Sequence, residues 1–580
     1  MKYKKFSIVT IAILVTTVGI CAQQAVEPSA ERLQQHISYL ASDALNGRRT
    51  GTAGANDAAR YIAGEFARAG LRPAKVGDSR KLSATMARYL QTFPYVGGVE
   101  LGKGNTLSVR NAGSVTSFRV GEDWMPLAFS SNQKIENAEI VFAGYGITST
   151  ELNHNDYNHT YTKNQVAVVN AGTPEGDNPH SRFARAGEVR FKVAAARNAG
   201  VGALLIIASE KTLKDDRLSY LRYDNAGEAG IPVIVVSRDA ASQIQAGERT
   251  LTLSTDVVRN EVPAYNVVGV LEGSDPILKN ENIIIGAHYD HLGRGGEGSL
   301  APRSGEIHHG ADDNASGTAG LIELARLFNA QRPRLKRTLV FIAFSGEEEG
   351  LLGSNYYVNN PLVPLANTVA MINMDMIGRM KDRKLVIGGV GTAQEWRDII
   401  AKDKSFELIL NEDGFGPSDH SSFYGKHVPV LFFWTGTHSD YHKPSDTFDK
   451  INYADEARIL GMVARIVRDV DGADKRLTYT TAKSDSTART GGFRVYLGTI
   501  PNYADSSDGL LIDGVRDESP AAKAGLKAGD RIVKIANRDI KNVYDYTYAL
   551  GEMKAGQEYV FEVMRGGERL TLKITPEARK

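Results

Sequence analysis

The chain has 580 residues, with 69 Lys and Arg against 68 Asp and Glu and a net charge of +1. That length is too great for one hydrophobic core and implies three or four domains, while the near-neutral balance gives no reason to expect a nucleic acid or another polyanion as partner. The lone cysteine, Cys21, lies in a leader segment, so the mature chain has neither disulfides nor a thiol nucleophile, and any metal must be held by nitrogen and oxygen.

In chain order, Lys2, Lys4 and Lys5 precede an apolar run from Phe6 to Ile20. This reads as a secretory signal peptide over residues 1–22, cut after Ala22, and the run is short for a bilayer span. The expectation is a secreted or periplasmic protein with no membrane attachment after cleavage; a lipoprotein anchored at Cys21 is the lesser alternative, because Ile20 fits poorly before a lipidated cysteine. From about Ala30 to Pro73 two helical pieces are expected, joined by the Gly-rich LNGRRTGTAG. In the second, Ala58, Tyr61, Ile62, Glu65, Phe66 and Ala69 recur at helical spacing, and Gly70 supplies a stop. Nothing there argues for more than packing.

Residues 105–260 have another texture. AEIVFAGYGI, QVAVVNAG, VGALLIIAS and IPVIVVS are expected strands, and FKVAAARNAG a helix closed by Gly200. Few ionisable groups stand at the ends of these runs, so the segment reads as a satellite domain shaping access. Residues 261–475 alternate strands with helices, including one from Gly320 to Ala330 that stops near Pro333. Such alternation implies an α/β fold with a mostly parallel central sheet covered by helices on both faces. A polar linker, 476–490, then leads to a small α+β tail, 491–580, with strands at FRVYLGTI, GLLIDGV, DRIVKIA, YVFEVMR and LTLKIT and a helix at SPAAKAGL.

The chemistry gathers in the third of these regions. NIIIGAH ends on His288, TLVFIAFSGEE on Glu347 and Glu348, VAMINMD on Asp375, and PVLFFWTG runs into a loop with His438 and His442; GADDNASG places Asp312 and Asp313 before a helix. In open α/β sheets, ligands collect beyond the carboxyl ends of the strands. Two imidazoles and three carboxylates (His288, Asp313, Glu348, Asp375 and His442) suit zinc, and less specifically cobalt or manganese. Three negative charges exceed what one divalent ion needs; a bridging carboxylate would let two ions sit about 3.5 to 4 Å apart. Glu347, beside a ligand and at a strand end, is placed to act as general base. Asp290 can orient His288 by accepting its other ring proton. Spacing alone leaves His291, His308, His309 and His438 as rivals.

GAHYDHLG, GADDNASG, FSGEEEGLLGS, INMDMIG and SDYHKPSDT, in this order, resemble the di-zinc M28 peptidases, the family of secreted bacterial aminopeptidases and glutamate carboxypeptidase. The resemblance spans about residues 30–475, so that 27–104 becomes the first part of the peptidase domain and 261–475 its catalytic part. It implies that Asp313 bridges two zinc ions, that Glu348 and His442 complete one site and His288 and Asp375 the other, that Asp312 is not a ligand, and that Asp290 partners His288. It also implies that Glu347 is base and proton shuttle. SDHSSF, with Asp419 and His420, looks like a family motif on the substrate side. Residues 105–260 resemble an inserted protease-associated (PA) domain, and 491–580 a PDZ domain whose Tyr496, Leu497 and Gly498 would offer amides to a peptide C-terminus.

The implied activity is a zinc-dependent aminopeptidase acting on peptide N-termini. A carboxypeptidase or dipeptidase of the same fold would need a basic residue to fix the substrate carboxylate, for which Arg303 and Arg379 are candidates. A one-zinc glutaminyl cyclase does not need five ligands, and a non-catalytic PA/PDZ scaffold predicts a missing ligand or base. Phe415, Phe423, Phe432 and Trp434 either line an apolar substrate pocket or are plain core.

Overall fold

In a computed structural model, the described residues are 27–578 except 75–86, 112, 151, 177–180, 210–212, 214–220, 222, 224–226, 246–248, 297, 302–304, 483–494, 502–508 and 517–518. The leader with Cys21, Arg303 and most of the linker's second half fall outside them. Helix α1 (Ala30–Leu40) starts at Ser29, whose hydroxyl accepts the Arg32 amide, and α2 (Ala53–Arg68) at Thr52, whose hydroxyl accepts that of Ala55. Their apolar faces, including Leu33, Ile37, Ile62 and Phe66, are buried in the main core. The turn between them approaches so closely that a Cβ on Gly54 would lie 1.9 Å from the Leu45 carbonyl oxygen.

Strand β1 (Leu90–Leu101) pairs antiparallel along its length with the later strand β2 (Val257–Leu271), giving a two-stranded ribbon through which the chain leaves and rejoins the core sheet. β2 therefore crosses the expected boundary at residue 260. Between the two lies the insert: an eight-stranded sheet in which Gln165–Asn170, Ala203–Ile207 and Val233–Val236 run parallel, packed on helix α3 (Val189–Ala199), which ends at Gly200 with φ 95°.

The core sheet continues with β3 (Asn282–His288), helix α4 (Gly317–Ala330), β4 (Thr338–Phe344), β5 (Thr368–Met374), β6 (Lys384–Gly388), β7 (Glu407–Leu410), β8 (Val430–Trp434) and helix α5 (Tyr453–Gly472). Its order is β2-β4-β3-β5-β8-β6-β7, with Arg72–Pro73 at the β2 edge. The four central strands β4, β3, β5 and β8 are parallel, and every residue of β3, β4 and β5 is buried. Both flanks turn antiparallel, β2 against β4 and β6 against β8. The expected parallel sheet thus holds for the strands that carry the ionisable groups, while the sheet as a whole is mixed.

In the tail, β9 (Thr499–Pro501) pairs with β10 (Leu510–Val515), and helix α6 (Val543–Glu552) packs over a small apolar core. The sequence VYDYTYALGE gives little helical signal, being rich in Tyr, Val and Thr. Tertiary contact makes up the difference: Asp545 of α6 forms an ion pair with Arg197 of α3, and the Thr150 amide donates to Glu552 Oε1 (2.7 Å). On another side of the tail, Arg516 reaches Asp413 Oδ2 of the core domain at 3.1 Å.

Candidate active site

His288, Glu347, Glu348 and Asp375 lie at or just beyond the carboxyl ends of β3, β4 and β5, which the parallel register brings level. Asp313 reaches them from the turn before α4, and His442 from the loop after β8. Two donor groups result. His288 Nε2 stands 3.5 Å from Asp313 Oδ1 and 3.3 Å from Asp375 Oδ1. His442 Nε2 stands 3.2 Å from both Asp313 Oδ2 and Glu348 Oε2. Donors about 2.0 to 2.2 Å from a tetrahedral ion are spaced about 3.4 Å apart, so all four distances are those of atoms able to share an ion. The two oxygens of Asp313 face different groups, as a bridge requires. His288 Nε2 and Asp375 Oδ1 are buried with no hydrogen-bond partner among the described residues. Leaving such atoms unpaired costs free energy that a cation would recover; the nitrogen and oxygen set fits zinc.

Glu347 Oε2 lies 3.9 Å from His288 Nε2, farther than the spacing of the other donors, and Glu347, His288 and Asp375 together form one cluster whose atoms could hold a metal ion. Asp290 lies beside Nδ1 of the His288 ring. Its carboxylate is 3.7 Å from His288 Nδ1, while its carbonyl oxygen is at 3.3 Å. The carboxylate also accepts the Thr50 hydroxyl (3.0 Å) and the Glu347 amide (3.3 Å), which ties the Glu347 backbone to the end of β3.

Comparison with known proteins now bears on this geometry. Residues 266–467 match the description Peptidase family M28, and residues 495–575 match the PDZ domain. The chain carries an M28 peptidase domain and a PDZ domain. An aminopeptidase of Pseudomonas aeruginosa is 32% identical over 211 residues, which cover 36% of each chain. A probable leucine aminopeptidase of Arthroderma otae is 27% identical over 209 residues, 33% of this chain and 54% of that one. The chain therefore spans about a third to a half of the length of these two curated relatives. Among solved structures, an aminopeptidase from Aneurinibacillus sp. strain AM-1 is 22% identical, with a TM-score of 0.46, over 78% of this chain and 95% of that one.

The M28 domain tunes its own groups by burial and charge. Burial pushes the Glu347 carboxyl up, and although His288 opposes this, Asp375, Glu348 and Asp419 add to it, leaving it well above the usual carboxylate range. Burial also pushes Glu348 up, yet the charges and hydrogen bonds of His291 and His442 outweigh it and hold Glu348 well below that range. For His442 burial works downward, and hydrogen bonds to Asp313 and Glu348 raise it to about 11. These are properties of the side chains by themselves; a bound divalent cation would favour deprotonated donors throughout.

Among the rival histidines, His438 Nε2 is 3.2 Å from Asp312 Oδ2, and both atoms are buried without a hydrogen-bond partner among the described residues, as His288 Nε2 and Asp375 Oδ1 are. His308 Nε2 meets the Ser299 hydroxyl (2.7 Å), and His309 Nε2 meets Asp43 (2.9 Å). His291 is different: its Nδ1 is 2.6 Å from Glu348 Oε1, and it lies with Asp313 and Glu348 in one cluster. Arg379, which could have fixed a substrate carboxylate, is bound to Asp440 Oδ2 at 3.1 Å. Asp419 is fully buried, and burial lifts it to about 7; His420, lowered by burial to about 3, stacks on Phe432 with centroids 4.4 Å apart. Phe423 is core, whereas Trp434 is only partly buried and stacks on Phe432.

Several supporting residues escape a reading by motif. Ser418 donates to Asp375 Oδ2 (2.8 Å) and accepts from Asn373 Nδ2 (2.9 Å). Asp446 accepts the amides of Asp312 and Asp313 (3.0 and 3.1 Å), fixing the turn that presents Asp313. Arg48, from the Gly-rich turn, is fully buried and donates to the carbonyls of Tyr289, His309 and Gly310. The only available signal was position: Ser418 and Asp446 belong to SDHSSF and KPSDT, and Arg48 is a charged residue within a turn.

Proposed function

We propose that the protein is a zinc-dependent exopeptidase that removes N-terminal residues from peptides, with one ion held by His288, Asp313 and Asp375 and a second by Asp313, Glu348 and His442. The observation that carries the reading is the paired spacing of 3.2 to 3.5 Å between donors on either side of Asp313. Zinc at these positions supplies Lewis-acid polarisation of the scissile carbonyl and eases ionisation of the attacking water. Glu347 takes a proton from that water and hands it to the leaving amine, a role that its raised proton affinity serves. Asp290 holds the backbone of Glu347, and Ser418 holds the oxygen of Asp375 opposite the one that faces His288.

Attack at the amino end is favoured by the likeness to aminopeptidases; Arg379 meets Asp440 through Nη2 while its Nη1 is buried without a partner among the described residues, and Arg303 lies outside them. Residues 105–260 are assigned as a PA-type insert that shapes access, and residues 1–22 as a signal peptide, placing the enzyme outside the cytoplasm. No helix of the described residues is long and apolar enough to cross a membrane. The deciding experiment compares aminoacyl amides with their N-blocked counterparts on zinc-loaded protein. Hydrolysis of the free-amine substrates alone is expected; equal or faster cleavage of blocked substrates would overturn the aminopeptidase reading.

A further inference from the structure

His291 follows Asp290, which holds the Glu347 amide, and is a third imidazole at the centre beside His288 and His442. It is 1% exposed, and its backbone amide donates to the Arg48 carbonyl (3.3 Å). The ring lies against Gly310, where a Cβ would come within 2.6 Å of ring carbons; the Gly310 carbonyl is in turn held by Arg48 Nη2 at 2.9 Å. The ring therefore packs on a Gly310 backbone that the Arg48 guanidinium holds, and its Nε2 is buried without a hydrogen-bond partner among the described residues. Its Nδ1 faces the cluster, 2.6 Å from Glu348 Oε1 and 3.9 Å from Asp313 Oδ2.

The first of those distances decides what the ring does. Two donors sharing a zinc ion are about 3.4 Å apart, so a 2.6 Å pair is a hydrogen bond and not a shared ion. A carboxylate only accepts, so Nδ1 carries the proton, and a protonated nitrogen cannot ligate. The two oxygens of Glu348 are thus separated in role: Oε1 is bound to His291, while Oε2 faces His442 Nε2 at 3.2 Å. We propose that His291 is a positioning residue for the second ion site, its Nδ1–H holding Glu348 Oε1 so that Oε2 is presented beside Asp313 and His442. This rests on the two-zinc reading above. Outer partners of this kind change metal affinity by about 10- to 100-fold.

The test measures zinc stoichiometry and stepwise affinity on the full chain by competition with a chromophoric chelator, with no activity readout. Wild type is expected to hold two ions. His291→Leu keeps bulk and removes the donor; it should weaken one ion by about 10- to 100-fold and leave the other unchanged. His291→Asn loses bulk but keeps an N–H near the Nδ1 position, and should recover to within a few-fold of wild type. The melting temperature of the chelator-treated proteins reports any purely structural effect; if the leucine protein does not fold, His291→Met, of similar bulk and without an N–H, takes its place. Wild-type affinity for both ions in the donor-less variant, or an asparagine variant as weak as the leucine one, overturns the proposal alone. A wild-type protein that holds fewer than two ions sinks the two-zinc reading, and this proposal with it.

Discussion

The catalytic sheet and the sheet of the insert are built alike, from apolar parallel strands whose carboxyl ends meet a buried charged group, yet they treat that group differently. In the insert, Lys192 on α3 is 1% exposed, and its ammonium donates to the carbonyls of Tyr145 (2.5 Å), Asn170 (3.0 Å) and Gly172 (2.7 Å). Every donor has an acceptor. In the core domain, His288 Nε2 and Asp375 Oδ1 face each other without a hydrogen bond. A buried charge with complete partners supports structure, whereas one left incomplete at a strand end implies a ligand. Both sheets place a charged group at a strand end, but Lys192 meets three carbonyls there, whereas the facing atoms of His288 and Asp375 have no hydrogen-bond partner among the described residues.

The largest effect should come from the group that the comparison places beside the incomplete set but outside it. Glu347→Gln is expected to reduce kcat by about 1,000-fold or more, in line with the loss of a general base, while zinc content stays at the wild-type value. Steady-state kinetics on an aminoacyl amide together with metal analysis checks this. A variant that loses zinc in parallel would make Glu347 a ligand and erase the distinction drawn from its 3.9 Å separation.

The same contrast explains what could be read from sequence. Apolar runs ending on His288, Glu347 and Asp375 are local patterns, and parallel pairing makes their ends coincide, so fold and strand-borne donors were legible together. His442 was not separable from His438 by spacing, because both lie on one loop and only their partners, Asp313 and Asp312, tell them apart. Arg48, Ser418 and Asp446 act through contacts between segments distant in sequence, which no local pattern encodes. The antiparallel flanks were missed because β2 belongs both to the ribbon with β1 and to the sheet. Helix α6 was missed because its residues prefer strands and its helical state depends on burial against the tail core and on partners in the insert.

A smaller effect, on stability alone, should follow at the complete site. Lys192→Met leaves three carbonyls without their donor and is expected to cost about 2 kcal/mol, with kcat/KM within about twofold of wild type. Burial lowers Lys192 from 10.5 to about 8. Between those values the unfolded chain binds the proton more strongly than the folded one, so wild-type stability gains from this group as pH rises from about 8 toward 10.5, by at most about 1.4 kcal/mol per unit. The methionine variant lacks that gain, and the stability gap between the two proteins should widen over this range in chemical denaturation. A constant gap would mean that the three carbonyls hold the ammonium charged at no cost.

The smallest effect provides the strictest test, because it concerns a complete charge that stands near the incomplete ones. Arg516 of the PDZ domain pairs with Asp413, lies 5.8 Å from the centre of the Phe415 ring, and has its amide bound to the Gly498 carbonyl in the loop expected to receive peptide termini. Asp413 also accepts the Phe415 amide, and the same segment runs on to Ser418 and its bond to Asp375. The pair is partly exposed, so its net contribution is at most about 1 kcal/mol. If completeness marks structure, Arg516→Ala should loosen the tail slightly, seen as faster proteolysis within the expected linker 476–490, and change kcat/KM less than about threefold, with Arg516→Lys closer to wild type. A tenfold fall in kcat/KM in the alanine protein, without loss of zinc, would show that a satisfied ion pair can govern the active site from another domain. The rule drawn from the two sheets would then apply to buried groups at strand ends and not to the surfaces where domains meet.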